Sequence, residues 1–388
     1  MIADLFVGDQ RTKALTFFNF AMPCGSGLGY ICGSQLSAAM KSWKWALRYT
    51  PALGMIAMVL TLTLVHEPER GVLEAAVVPP LCIDQYRQQQ RERLRQQERE
   101  QQQLEGGGSQ RNTSYFEDVK QVVKIRTFVW STLGFTCVSF ATGALAAWAP
   151  AFILYAEQVH DQKEEKDMSS VTYQFGLIVM IAGVIGNIVG AEWARFWRAT
   201  NMKSDTFVCG IGIAVATPCL FFSLFAADKS FVFSWIAMFI GCVTMFFSWT
   251  PTTDMLLYVV PPNCRATAEA IQILTSHVFG DAFSPLIVGA ISDAFQSGGP
   301  KGVKEKHLGL LYSFYASLAV LCAGAACYFL TAGYLVTDRK RAQLAAEGEA
   351  GWSLEDYPVV NRGDRRDSQT LPLDCQDQGT YNPLAEIQ

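Results

Sequence analysis

Residues 254–293 read D-M-L-L-Y-V-V-P-P-N-C-R-A-T-A-E-A-I-Q-I-L-T-S-H-V-F-G-D-A-F-S-P-L-I-V-G-A-I-S-D. Beyond Pro261-Pro262 the stretch is long and apolar enough to cross a bilayer as a helix. It nonetheless carries Glu269, His277 and Asp281. An ionisable group in hydrocarbon is costly, so such residues usually face a polar cavity and mark a substrate or proton path. At about 100° per residue the three fall within about 120° of one another on a helix. Ser276, Gly280 and Ser284 lie on or beside the same stripe. The reading is a membrane helix with one polar face.

The remainder of the chain agrees with a membrane protein. Half of the 388 residues are hydrophobic, 25 of them Phe, and the net charge of −4 argues against a nucleic-acid partner. Eight segments are apolar enough to span a core of about 30 Å: 17–39, 45–65, 128–156, 173–193, 206–227, 231–258, 266–291 and 310–336. No cleavable signal peptide is read at the start, where Asp4, Asp9, Arg11 and Lys13 interrupt any apolar core. Of 18 arginines, 17 fall in alternate connections, namely the N-terminus, 66–127, 194–205, 259–265 and the tail, with Arg48 opposite. That bias places both termini in the cytosol. The eleven cysteines are scattered singly, without a disulfide framework or a C-x-x-C metal site. No phosphate loop, metal cluster or catalytic triad stands out, so neither enzyme activity nor a cofactor is expected.

The opening stretch also carries a family resemblance. C-R-A-T-A-E-A-I-Q-I-L-T-S-H-V-F-G-D-A-F-S-P at 264–285 resembles the penultimate helix of the spinster family of major facilitator transporters. So do I-A-D-L-F-V-G-D-Q-R at 2–11, P-C-G-S-G-L-G-Y-I-C-G at 23–33, W-A-L-R-Y-T-P at 45–51 and L-G-F-T-C-V-S-F-A-T-G-A-L-A-A-W-A-P-A-F at 133–152. Cys264 stands where the family pattern has a first arginine, and Phe283 where it has a glycine. The resemblance implies an all-α membrane protein with an incomplete major facilitator fold. Its eight spans would correspond to family helices five to twelve. It implies transport of an amphiphilic lipid, a lysophospholipid or a sphingolipid. The site is read as lysosomal with proton coupling, or alternatively as a plasma-membrane sphingolipid exporter. The absent first helices support a third reading, a truncated, non-transporting or regulatory membrane protein. The chain divides into 1–65 (two helices of an N-terminal half), a low-complexity cytosolic linker at 66–127, a six-helix half at 128–336, and a disordered tail at 337–388.

Candidate residues follow. His277 sits roughly 16 Å along its helix, near midplane, and is the one histidine inside the eight spans. Imidazole titrates near pH 6.5, between acidic-compartment and cytosolic pH. Asp281, one turn on, could share its proton; a structural histidine and a packing aspartate are the plainer readings. Ser276, Ser284 and Trp148 are assigned to the same substrate and proton pathway, Trp148 alternatively to an aromatic belt. Asp254, Arg265 and Glu269 near the cytosolic boundary are read as gate residues, Glu269 paired with Arg265. Gly25, Gly29 and Gly33, and Gly186 and Gly190, have the four-residue spacing that lets membrane helices approach closely. Tyr357 and Tyr381, in Y-P-V-V and Y-N-P-L, match the tyrosine-based sorting pattern and suggest clathrin adaptors as partners through the tail, although chance matches to so short a pattern are common.

Overall fold

A computed structural model of the chain describes residues 6, 9–64, 115–160, 167–227, 229–261, 264–296 and 302–347. Among the described residues there are thirteen α-helices, one 3₁₀ turn, one π turn and no strand. Helices suit this composition, because a long apolar segment in hydrocarbon must satisfy its backbone within itself. The order is α1 (Asp9–Asn19), α2 (Ala21–Ala39), α3 (Trp43–Leu64), α4 (Tyr115–Lys124), α5 (Arg126–His160), α6 (Met168–Arg198) and α7 (Ser204–Ala226). Then come α8 (Phe231–Met245), the 3₁₀ turn (Phe246–Ser248), α9 (Trp249–Val259), α10 (Arg265–Ser276), the π turn (His277–Ala282), α11 (Ser284–Gln296), α12 (Val303–Thr331) and α13 (Leu335–Glu347).

Seven helical stretches among the described residues are long and apolar enough to cross a membrane, two of them composite: Phe231–Val259 and Arg265–Gln296. They match seven of the eight segments read from sequence. The eighth, 17–39, is broken between α1 and α2, and α2 is not among the seven. Four glycines, three serines and Gln35 lower its hydropathy. Three other boundaries move. The linker gives way to helix α4 at Tyr115, and the tail begins with helix α13 where disorder was expected from 337. Helix α12 starts at Val303, which brings His307 into a span. His277 is therefore not the one histidine in a span: His307 is 1% exposed and stacks on Phe152 with ring centroids 4.7 Å apart.

The core lies where α12 runs along α5 and α7, around Phe152, Phe314, Leu321 and Tyr328. Tyr328 is fully buried because Gly134 on α5 makes room: a β-carbon there would stand 2.8 Å from the ring. The Tyr328 hydroxyl shares a 2.7 Å hydrogen bond with Thr252 on α9, which satisfies its polar end. Helices α7 and α8 form a hairpin pinned near its closed end. Ser223 donates to the Ser234 carbonyl at 2.9 Å, and Ser234 to the Ser223 carbonyl at 2.8 Å. Helix α3 buries no side chain, and its apolar residues, Leu53, Met55 and Ile56 among them, are exposed.

Candidate functional site

The π turn is the local departure that shapes the polar helix. Such turns are rare, occur mostly as single-turn insertions in α-helices, and gather at functional sites. Across it, His277 Nδ1 and Asp281 Oδ2 stand 2.7 Å apart, with side chains 49% and 40% exposed. The structure brings this pair together on an open face. It divides the rest of the stripe. Ala268, Gln272, Ser276, Gly280, Ser284, Val288 and Ser292 are all buried, one every four residues. That seam of mostly small residues turns toward α5, and at Ser292 toward Gly309 on α12. Gln272 donates to Thr132 at 3.3 Å, a β-carbon on Gly280 would meet Ser139 at 2.6 Å, and one on Gly143 would meet the Asp281 Cα at 2.7 Å. Ser276 and Ser284, read as pathway residues beside His277, thus sit in a helix–helix contact. The cause is geometric: small side chains admit the neighbouring backbone, and large charged ones cannot. Trp148 ties the same two elements, donating from Nε1 to the Pro285 carbonyl at 3.0 Å. It stands as a link between α5 and α11, packed beside Gly289.

The second constellation is a cluster of charges at one end of the bundle. Asp254 on α9 is fully buried and accepts from Arg11 Nε at 3.2 Å, Thr12 Oγ1 at 2.9 Å and Arg198 Nη2 at 2.7 Å. Arg198 also reaches Asp205 at 2.8 Å, and Tyr258 donates to the other Asp205 oxygen at 2.6 Å. The guanidinium of Arg339 lies 4.8 Å from the Tyr258 ring centroid. Within the ion-paired set, Asp254 and Asp205 with Arg11 and Arg198, two carboxylates and two guanidiniums balance, and α1, α6, α7 and α9 are joined. The arginine partners of Asp254 are Arg11 and Arg198. Arg265 and Glu269 form no ion pair with each other among the described residues, which corrects the expected bridge. Arg11, Arg198, Asp205 and Tyr258 were not singled out from sequence, because their partners are 7 to 243 residues away.

A third feature is a cleft with about 520 Å³ of empty space, partly open, between α2, α5, α6, α8 and the turn into α9. Tyr30, Thr142, Ala146, Phe175, Met245 and Trp249 line much of it. The cleft does not include His277 or Asp281. Helix α5 stands between: Thr142 and Ala146 face the cleft, while Ser139 and Gly143 face the π turn.

The glycines resolve into two groups. Gly186 and Gly190 meet the backbone around the 3₁₀ turn, with β-carbon positions 2.4 Å from the Val243 carbonyl oxygen and 2.6 Å from Phe247 Cα. Gly25, Gly29 and Gly33 meet nothing within 4 Å, which corrects their reading as packing residues. The close approach belongs to Gly27, whose β-carbon position is 2.8 Å from the Gly176 carbonyl oxygen. Helix α2 faces its neighbours through Pro23, Gly27, Tyr30 and Ser34, the side opposite to Gly25 and Gly29. Tyr357 and Tyr381 lie outside the described residues. No group of His, Cys, Asp and Glu among the described residues could hold a metal.

Membrane-crossing helices, close glycine crossings and a charge cluster at one end define a multi-pass integral membrane protein. The chain belongs to the Major Facilitator Superfamily, whose family model matches residues 1–285. That superfamily is one of transporters, not enzymes. Within it the sequence is similar to spinster proteins. It is 38% identical to protein spinster homolog 1 of Xenopus laevis over 352 residues, 90% of this chain and 61% of that protein. Against Homo sapiens spinster homolog 1 the figure is 38% over 372 residues, covering 94% and 65%. Against Homo sapiens spinster homolog 3 it is 36% over 352 residues, covering 90% and 64%. The chain thus spans somewhat under two thirds of the length of these relatives. The fold is like the crystal structure of a bacterial homologue of the human lysosomal transporter spinster in its inward-facing, unoccupied conformation. The TM-score is 0.60 at 16% identity, covering 87% of this chain and 74% of that one.

Proposed function

We propose that these helices belong to a transporter of amphiphilic lipids, a lysophospholipid or a sphingolipid, working by proton-coupled alternating access at the late endosome or lysosome. The observation that carries the reading is the His277–Asp281 contact of 2.7 Å on an open face of an otherwise apolar membrane helix. In this reading the imidazole and the carboxylate, held in contact, carry the proton that is gained on one side of the membrane and lost on the other. A change of charge beside hydrocarbon favours one of two conformations over the other, which is what coupling requires. The apolar cleft lined by Phe175, Met245 and Trp249 supplies a place for a lipid chain. Similarity to a bacterial homologue of a human lysosomal transporter supports the compartment.

In this reading Asp254 and its arginines are the cytosolic gate, with Arg265 and Glu269 at its rim. The two helices before residue 65 and the six between 128 and 336 are parts of opposite halves. Tyr357 and Tyr381 direct endolysosomal sorting through clathrin adaptors. The test is flux of labelled lysophosphatidylcholine into proteoliposomes across an imposed pH step. His277→Ala is expected to bind the lipid and to lose the response to pH. Wild-type pH dependence in that variant refutes the coupling role.

A further inference from the structure

Pro150 lies inside α5 and has no backbone N–H to donate to the carbonyl four residues earlier, that of Ala146. A freed carbonyl at membrane depth is costly unless another donor reaches it. Here the donor comes from a different helix: the Tyr30 hydroxyl on α2 donates to the Ala146 carbonyl at 2.8 Å. Both groups line the apolar cleft. The pattern recurs next door. Pro23 frees the carbonyl of Asn19, and Asn187 on α6 donates to it at 3.2 Å. Asn187 is fully buried, accepts from Thr250 at 3.3 Å, and so completes a link of α1 and α2 to the bundle.

The two sites differ in one respect. Asn187 is itself fully buried, whereas Tyr30 stands part-buried at the wall of an open cleft. Of the polar groups in that wall, the Thr142 hydroxyl is already committed to its own helix, at the Val138 carbonyl, 2.9 Å away. No charged side chain lines the cleft among the described residues. The chemistry that fits is a hydrocarbon chain with an uncharged hydrogen-bond donor near it, with phosphate and ammonium held elsewhere.

We propose that the Ala146 carbonyl is a ligand site held shut by Tyr30: a hydroxyl of the bound amphiphile replaces the tyrosine hydroxyl on that carbonyl, and the exchange releases α2 from α5. This rests on the amphiphile reading above and assigns the site that would distinguish a lipid with a free hydroxyl from one without. The exchange keeps the number of hydrogen bonds constant, one O–H donor for another. Tyr30 need not be left unsatisfied, since the cleft is partly open.

Trp249 lines the cleft and reports on it. The probe is lysophosphatidylcholine with a dibrominated acyl chain, which quenches tryptophan fluorescence by contact, and its 2-O-methyl ether as the control. Both are titrated into the purified full chain in nanodiscs, with Trp249→Phe subtracted to isolate that reporter. Wild type is expected to bind the hydroxyl probe more tightly than the ether. Tyr30→Phe keeps the ring that meets Phe175 edge-on at 5.4 Å and removes only the competing hydroxyl. It is expected to tighten the hydroxyl probe about threefold to tenfold, the usual net worth of one hydrogen bond, and to leave the ether unchanged. Pro150→Ala restores a backbone donor to Ala146 and is expected to abolish the preference for the hydroxyl probe. Equal binding of both probes in all three proteins overturns the exchange while leaving an amphiphile site in place. Absence of Trp249-dependent quenching by either probe overturns the site itself, and the proteoliposome flux then decides the broader function separately.

Discussion

Neutralising Asp254 tests whether the charge cluster holds α1 to the bundle by balance or by contact count. Asp254 is fully buried, and its partners Arg11 and Arg198 are 12% and 18% exposed. At an effective dielectric of about 20, a unit pair separated by 3.2 Å or 2.7 Å is worth about 5–6 kcal/mol before desolvation. Desolvation offsets much of this, and removing one partner of a buried pair costs about 3–5 kcal/mol. Asp254→Asn keeps the shape and an acceptor for Thr12, so about 3 kcal/mol is expected. The cluster then carries one excess positive charge. Arg11→Gln removes that excess and leaves Arg198 with Asp205 at 2.8 Å. The double variant Arg11→Gln/Asp254→Asn is therefore expected to be more stable than Asp254→Asn alone, by about 1–2 kcal/mol. The assay is equilibrium unfolding of the purified chain in mixed dodecylmaltoside and dodecylsulfate micelles, followed by tryptophan fluorescence. A double variant less stable than the single one refutes charge balance and leaves contact count as the explanation.

Gly190→Ala should destabilise by about 1–3 kcal/mol in the same assay, since the added carbon meets Phe247 Cα at 2.6 Å and backbone cannot yield. Gly29→Ala should stabilise by up to about 1 kcal/mol, because it meets open space in a helix interior. Ser223→Ala is expected to cost about 1 kcal/mol and to raise hydrogen exchange at the start of α8, where its donor reaches the Ser234 carbonyl. In cells, Tyr357→Ala with Tyr381→Ala should move a tagged protein to the surface; an unchanged punctate pattern counts against tail-directed sorting.

Helix positions were legible from sequence because long apolar runs in hydrocarbon have one common outcome. The polar stripe around His277 was legible as a stripe but not in its division. Polarity alone does not distinguish a serine that admits a neighbouring backbone from a histidine that stands clear, and the π turn has no signature in local composition. The glycine spacing in α2 was misleading for a related reason. Gly25, Gly29 and Gly33 satisfy the close-packing pattern, but the helix turns by Pro23, Gly27 and Ser34, and spacing does not say which face meets a partner. The signal that could have found Tyr30 and Asn187 was indirect: each proline within a helix marks a carbonyl four residues earlier that needs a donor. His307 was passed over because its helix begins seven residues before 310, where the apolar run does.

The π turn also fixes how α10 and α11 are phased. Seven buried residues recur every four from Ala268 to Ser292, whereas an ordinary helix would carry such a seam round its axis by about 40° each time, roughly 240° in all. One extra residue in the wide turn takes back about 100° of that drift. Tightening the turn to α geometry would rotate α11 by the same angle and swing Ser284, Val288 and Ser292 off their neighbours together. His277 and Asp281 straddle that turn. Their contact is therefore in series with the angular setting of a whole half-helix, in the manner of a crank pin: a small displacement at one residue pair becomes rotation of the shaft.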